Sequence, residues 1–232
     1  MTKTFSEKLL AWYTLNKRDL PWRKTKDPYK IWISEIMLQQ TTVTAVIPYF
    51  ERWIKRYPTM ASLATAGEQE LMNSWEGLGY YSRVRNIHKA AKIMVLDFEG
   101  NVPDDPKKLI KLPGFGPYTV GAVLSIAYGL REPIIDANVR RIVMRLHCIK
   151  GRADASVDAE ILPWIEQTLP ADQMSEFNQA FMELGALVCG KQPQCLQCPV
   201  KEFCRAHDKG VQDEIPEPKK VSYIDEIGRA HV

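Results

Sequence analysis

The stretch from Lys111 to Arg141, KLPGFGPYTVGAVLSIAYGLREPIIDANVRR, constrains this chain more than any other. A tight glycine turn, Leu112-Pro113-Gly114-Phe115-Gly116, leads into an apolar helix over Thr119 to Tyr128, and Asp136 opens a second helix. Glycines at alternate positions ahead of a helix N-terminus aim several backbone N–H groups at one point. Such a point binds an anion, most often phosphate. The same glycines would serve an ordinary helix–turn–helix corner, where only positive φ is needed. The aspartate inside IIDANVRR favours the anion-binding reading.

Most other segments also repeat their apolar residues at helical spacing. Phe5, Leu9, Trp12 and Tyr13 form one such set; Ile47, Phe50 and Ile54 form another, and Leu71 and Trp75 a third. Prolines punctuate these segments near their starts or in turns, and no alternating run is followed by a hairpin turn. The expected fold is all-α. With 232 residues, 45% of them hydrophobic, the chain can bury a real core. A net charge of +3 does not by itself point to nucleic acid. The basic residues do cluster, however: Lys17, Arg18, Arg23, Lys24 and Lys26; Arg83, Arg85, Lys89 and Lys92; Arg140, Arg141 and Arg145. The N-terminus carries no apolar signal core and no run is long enough to span a membrane, so a soluble intracellular protein is expected.

Four motifs carry chemistry. In Ile33-Ser34-Glu35-Ile36-Met37-Leu38-Gln39-Gln40-Thr41, Glu35 sits among apolar residues, which would raise its pKa and suit a general acid. Placement on the outer face of an amphipathic helix is the alternative. Gln39, Gln40 and Thr41 could read bases or fill a gap in a stack. In Trp75 to Asn86 (WEGLGYYSRVRN), Leu78 on its glycine turn could wedge between base pairs, with Gly79 and Tyr80 beside it and Arg83 and Arg85 on phosphates. A helix C-cap would also use those glycines.

The third motif pairs Tyr118 with Asp136. Asp136 stands where it would N-cap the run Ala137 to Leu146, a position that favours its ionised form. A protonated Glu35 and an ionised Asp136 would be the two carboxyl groups that cleave a glycosidic bond through an oxocarbenium-like state, with Asn138 orienting Asp136. The fourth motif is Cys189-x5-Cys195-x2-Cys198-x5-Cys204. Four of the five cysteines crowd there, which argues against a secreted disulfide framework and for one iron–sulfur cluster or one zinc. With only one CxxC, a [4Fe–4S] cluster is favoured.

In this order SEIMLQQT, GLGYYSRVRN, LPGFGPYT, IDANVRR and FNQAFMELGALVC resemble the helix–hairpin–helix DNA glycosylases with an iron–sulfur cluster, the endonuclease III group. Within that group the chain is similar to the adenine DNA glycosylases. The likeness runs from Leu20-Pro21-Trp22-Arg23 to about Arg205. It implies a six-helix module over 22–131, and a cluster module from 1–21 and 132–206 holding one [4Fe–4S] cluster on Cys189, Cys195, Cys198 and Cys204. It also implies a substrate, adenine opposite 8-oxoguanine or guanine in duplex DNA, flipped out before cleavage. Glu35 would protonate the base at N7, and Asp136 would stabilise or attack the sugar cation. Tyr118 and Asn138 would position these groups, and Glu183 would support them. Arg23, Gln39, Gln40, Thr41, Leu78, Gly79, Tyr80 and Arg83 would engage DNA, and the turn from Gly114 through Gly116 to Tyr118 would hold a phosphate.

Relatives that cut the strand carry a lysine where this chain has Tyr118, so a monofunctional glycosylase is expected. Thymine or uracil mismatch glycosylases of the same superfamily, and an inactive DNA-binding relative, are the rivals. The resemblance further implies a monomeric, cytoplasmic, nucleoid-associated protein without membrane contact. Two departures stand out. The first cysteine spacing is one residue shorter than the family's usual one, so the loop must tighten. The relatives also carry a C-terminal NUDIX-like domain, whereas 207–232 reads as a tail. Its ending, Glu226 to Val232, resembles translated sequencing-adapter read-through, so the natural protein is expected to continue.

Overall fold

The computed structural model describes residues 4–218; the adapter-like ending expected at Glu226 to Val232 lies outside the described residues. Among the described residues the chain is helical and has no strand. The helices are α1 (Phe5–Asn16), α2 (Pro28–Leu38), α3 (Val43–Arg56), α4 (Met60–Thr65), α5 (Glu68–Ser74) and α6 (Ser82–Asp97). They continue with α7 (Pro106–Leu109), α8 (Pro117–Ala127), α9 (Ala137–His147), α10 (Asp158–Thr168), α11 (Met174–Leu187) and α12 (Arg205–Asp208). No helix among them is long and apolar enough to cross a membrane.

Local chemistry sets the boundaries that matter for the site. Asp27 caps α2 by accepting from Tyr29 N at 3.0 Å, with Pro28 in the first turn, where its missing N–H costs nothing. Pro117 does the same for α8, which therefore begins two residues before the expected Thr119. Asp136 caps α9 as anticipated, accepting from Val139 N at 2.7 Å.

Two large hydrophobic clusters divide the described residues. The first gathers apolar side chains from Leu20 to Leu124, around Trp32, Trp53 and Trp75. The second joins α1 to the C-terminal helices through Phe5, Leu9, Val143, Phe177 and Phe181. Each such buried side chain contributes on the order of 1.5–3 kcal/mol. A small third cluster, Ile31, Ala122, Ile126 and Ile134, packs against Tyr118 and Met182 where α2, α8 and α11 meet.

Helices α2 and α8 are the central pair. Residues 31–37 of α2 and 119–126 of α8 are all buried, as expected of helices covered on every side. Trp32 of α2 stacks on Phe115 of the glycine turn, with ring centroids 5.4 Å apart and planes 19° apart. Gly114 has φ +81°, and a Cβ there would also sit 3.0 Å from Asn86 Cβ. The turn is thereby locked against α2 and α6, and a polar group on the inner face of α2 must find its partner inside the protein.

Candidate active site

Glu35 finds that partner in Tyr118. It is buried on α2, and Tyr118 Oη at the start of α8 donates to Glu35 Oε2 at 2.6 Å. Burial pushes the Glu35 carboxyl up to about 7; the Tyr118 hydrogen bond and Arg23 pull it down, and Asp136 pushes it further up. Burial also raises Tyr118 well above the ordinary tyrosine value, so its hydroxyl keeps its proton and serves as donor. Protonated Glu35 would then carry its own hydrogen on Oε1. The outer-face alternative for Glu35 is excluded.

Asp136 lines the same cavity, which has a volume of about 230 Å³, below the usual range for drug-sized ligands and suited to a single base. Both of its oxygens are held: Val139 N donates to Oδ1 at 2.7 Å and Asn138 Nδ2 to Oδ2 at 2.8 Å. Asn138 is fixed in turn by Arg141 Nη2, which donates to its Oδ1 at 2.8 Å, while Arg141 Nε donates to Cys189 O at 2.7 Å. Asn138 fits only because Gly185 of α11 lacks a side chain: a Cβ there would lie 2.4 Å from Asn138 Cβ.

Glu183, fully buried, lines the same cavity. It accepts from Arg18 N, Nε and Nη2 at 2.8, 2.9 and 2.6 Å, and from Arg23 Nη1 and Nη2 at 3.0 Å each. Burial alone would raise its pKa, but the hydrogen bonds from Arg18 and Arg23 outweigh it and hold the carboxyl at about 2. Arg23, expected on DNA, is therefore committed to Glu183 and to Gln179 Oε1 at 3.1 Å.

The segments expected to engage DNA are only partly placed for it. Gln40 and Tyr80 are exposed, each with a left-handed backbone, φ 58° and 47°. Gln39 is half-buried, and its Nε2 lies 3.4 Å from Thr119 Oγ1. Leu78, expected as a projecting wedge, is buried in the first core, so the tip of that turn is Gly79 and Tyr80. Arg83, expected on a phosphate, is also buried, because backbone carbonyls at the end of α2 and in the 77–80 turn surround its guanidinium. Gly116 precedes α8 with φ −105°, ordinary backbone for any residue; of the two turn glycines only Gly114 is demanded by conformation.

Cys189, Cys195, Cys198 and Cys204 are free thiols that line one small cavity. The shortened first spacing is closed by Gln194 N donating to Val188 O at 2.9 Å. Buried Arg145 ties the loop down, donating to Cys189 Sγ at 3.3 Å, Gly190 O at 2.7 Å and Ile215 O at 2.7 Å. Among the described residues no three His, Cys, Asp or Glu side chains gather closely enough to hold one metal ion; the four thiols stand around the cavity instead.

The chain has known relatives. Residues 33–167 match the HhH-GPD superfamily of base excision DNA repair proteins. This chain belongs to that superfamily. The adenine DNA glycosylase of Buchnera aphidicola subsp. Baizongia pistaciae is 41% identical over 89% of this chain and 59% of that protein. The human adenine DNA glycosylase is also 41% identical, over 91% of this chain and 41% of that protein. The chain thus spans less than two-thirds of the length of either relative. Among solved structures, a thermostable thymine-DNA glycosylase superposes with a TM-score of 0.79 at 27% identity, covering 88% of this chain and 95% of that one. A non-covalent endonuclease III–DNA complex gives 0.75 at 26% identity, covering 89% and 95%.

Within this HhH-GPD chain, sequence reasoning missed the residues that hold the site rather than form it. Arg18 and Arg141 are legible only as basic residues, Gln179 only as a polar one and Gly185 only as a small one. The contacts that tie them to the site reach across tens of residues, from Arg18 to Glu183, Arg141 to Cys189, Gln179 to Arg23 and Gly185 to Asn138, and no local pattern announces them.

Proposed function

We propose that this chain is a monofunctional adenine DNA glycosylase, hydrolysing the N-glycosidic bond of adenine opposite 8-oxoguanine or guanine in duplex DNA. One observation carries the reading: a carboxylic acid poised near neutrality by burial shares one base-sized cavity with a second carboxylate held by two donors. Glu35, its Oε2 occupied by Tyr118, offers the proton on Oε1 to the flipped adenine, making the base a better leaving group. Asp136 stabilises the positive sugar that forms, or adds to it transiently, before water completes the hydrolysis. Tyr118 supplies no amine, so no Schiff base forms and the abasic strand stays intact. Asn138 orients Asp136, and Glu183 with its two arginines supports the cavity wall. Gln40, Gly79 and Tyr80 would enter the helix around the vacated base, and the turn at Gly114 would receive a phosphate.

The four thiols fit a [4Fe–4S] cluster. They surround a cavity rather than one point, and the Arg145 guanidinium against Cys189 Sγ suits an anionic group. When bound, the cluster would pin the loop 189–204 that Arg141 and Arg145 connect to the site. Iron and acid-labile sulfide in the purified protein are expected at about four of each per chain for a [4Fe–4S] group; zinc in their place would overturn this assignment. We take the two hydrophobic clusters as the cores of the six-helix and cluster modules.

The thymine-DNA glycosylase among the structural neighbours gives the second reading its support, since that protein shares the fold over most of this chain. Single-turnover cleavage separates the two. Labelled duplexes carrying adenine opposite 8-oxoguanine, adenine opposite guanine, and thymine opposite guanine are quenched with and without alkali. Breaks at adenine only after alkali are the expected result. Breaks at thymine would move the assignment to the neighbour, and breaks without alkali would refute the monofunctional mechanism.

A further inference from the structure

We propose that Arg83 is a positioning residue whose guanidinium locks the turn 38–41 to the turn 77–80, so that the two engage DNA as one rigid unit. The inference rests on the glycosylase reading above and assigns Arg83 a task other than phosphate contact.

The fork of Arg83 spans both turns. Nη1 donates to Ile36 O at 2.9 Å, to Met37 O at 3.1 Å and to Gln39 O, all at the C-terminal end of α2. Nη2 donates to Leu78 O at 2.9 Å and Gly79 O at 3.2 Å in the second turn, and approaches Thr41 Oγ1 at 3.4 Å in the first. The last carbonyls of a helix lack intrahelical donor partners and carry its negative end, so a cation there is doubly favoured. The rings of Trp75 and Tyr80 lie 5.4 and 5.6 Å from the guanidinium carbon. With 8% of its surface exposed, the side chain has little left to offer a phosphate.

Both turns need such a brace. Each places an exposed, non-glycine residue, Gln40 or Tyr80, in the left-handed region. Such backbones are strained and persist only where the surroundings hold them. A planar fork can reach acceptors on two sides, whereas a lysine ammonium gathers its donors at one point and cannot bridge both turns. Lysine would, however, replace arginine well as a phosphate contact.

The test compares wild type, Arg83→Lys and Arg83→Gln on the adenine duplexes. Rates are single-turnover constants normalised to active molecules, so that partial unfolding lowers amplitude and not rate. Arg83→Lys is expected to lose on the order of tenfold or more, as displacement of a positioning element by about 1 Å commonly costs up to ~100-fold. The salt slope of DNA binding is expected to be the same for Arg83→Gln as for wild type; a lost phosphate contact would reduce it by about 0.9. Full activity of Arg83→Lys together with a reduced slope for Arg83→Gln would overturn the proposal.

Should neither variant fold, the wild-type guanidinium reports directly. Its N–H signals by ¹⁵N NMR are expected to exchange slowly in the free protein and to stay unshifted on adding DNA. Fast exchange that slows only with DNA would refute the inference. A wild type that cleaves none of the duplexes would instead refute the glycosylase reading, and the NMR signature alone would then decide the role of Arg83.

Discussion

Glu35→Gln is expected to abolish excision and, above pH 7, to make the protein more stable. The two effects share one cause. Burial holds the folded carboxyl at about 7 against an ordinary value of 4.5. Between these values the folded state keeps a proton that the unfolded chain has already lost. The contribution of Glu35 to stability is therefore fully present below pH 4.5, falls as pH rises through about 7, and is constant beyond. The total loss is on the order of 3 kcal/mol. Glutamine keeps the shape and the acceptor for Tyr118 but never ionises, so it escapes that loss. Chemical denaturation at pH 5 and pH 8 should show the variant gaining on wild type by up to about 3 kcal/mol across the interval. A parallel pH dependence in the two proteins would mean that Glu35 is not the titrating group. The wild-type excision rate should fall over the same range, as the proton meant for adenine is lost.

Glu183→Gln is expected to act in the opposite sense, costing on the order of 3–5 kcal/mol of stability. The carboxylate is fully buried and serves two guanidinium groups, Arg18 and Arg23, of which Arg23 has only 13% of its side chain exposed. Removing the negative charge leaves two cations at the cavity wall, Arg18 35% and Arg23 13% exposed, with one neutral amide between them. The carboxyl is held at about 2, so its contribution is present above pH 4.5 and disappears as pH falls toward 2. Urea denaturation at pH 7 measures the loss, and a change below about 1 kcal/mol would place the trio among the weak surface ion pairs instead. Arg23 also lowers the Glu35 pKa, so the variant that frees it should shift the pH profile of excision as well.

Much of this was legible in the chain itself. Helical periodicity, the N-terminal prolines and the capping aspartates Asp27 and Asp136 are local effects, and the helices form where they predict, apart from the earlier start of α8. The glycine turn before α8, the crowding of four cysteines within 189–204 and the apolar neighbourhood of Glu35 are equally local. What the tertiary structure alone decided is where long polar side chains point. Tyr118 reaches Glu35 across 83 positions, and Glu183 collects Arg18 and Arg23 across 165 and 160. Sequence reasoning sent Arg23 and Arg83 to DNA and Leu78 out as a wedge; the structure turns all three inward. The physical reason is that periodicity reports only how much of an element is covered. An arginine is drawn to whichever carboxylate or unsatisfied carbonyl the packing brings near, and those acceptors come from segments the local pattern does not contain.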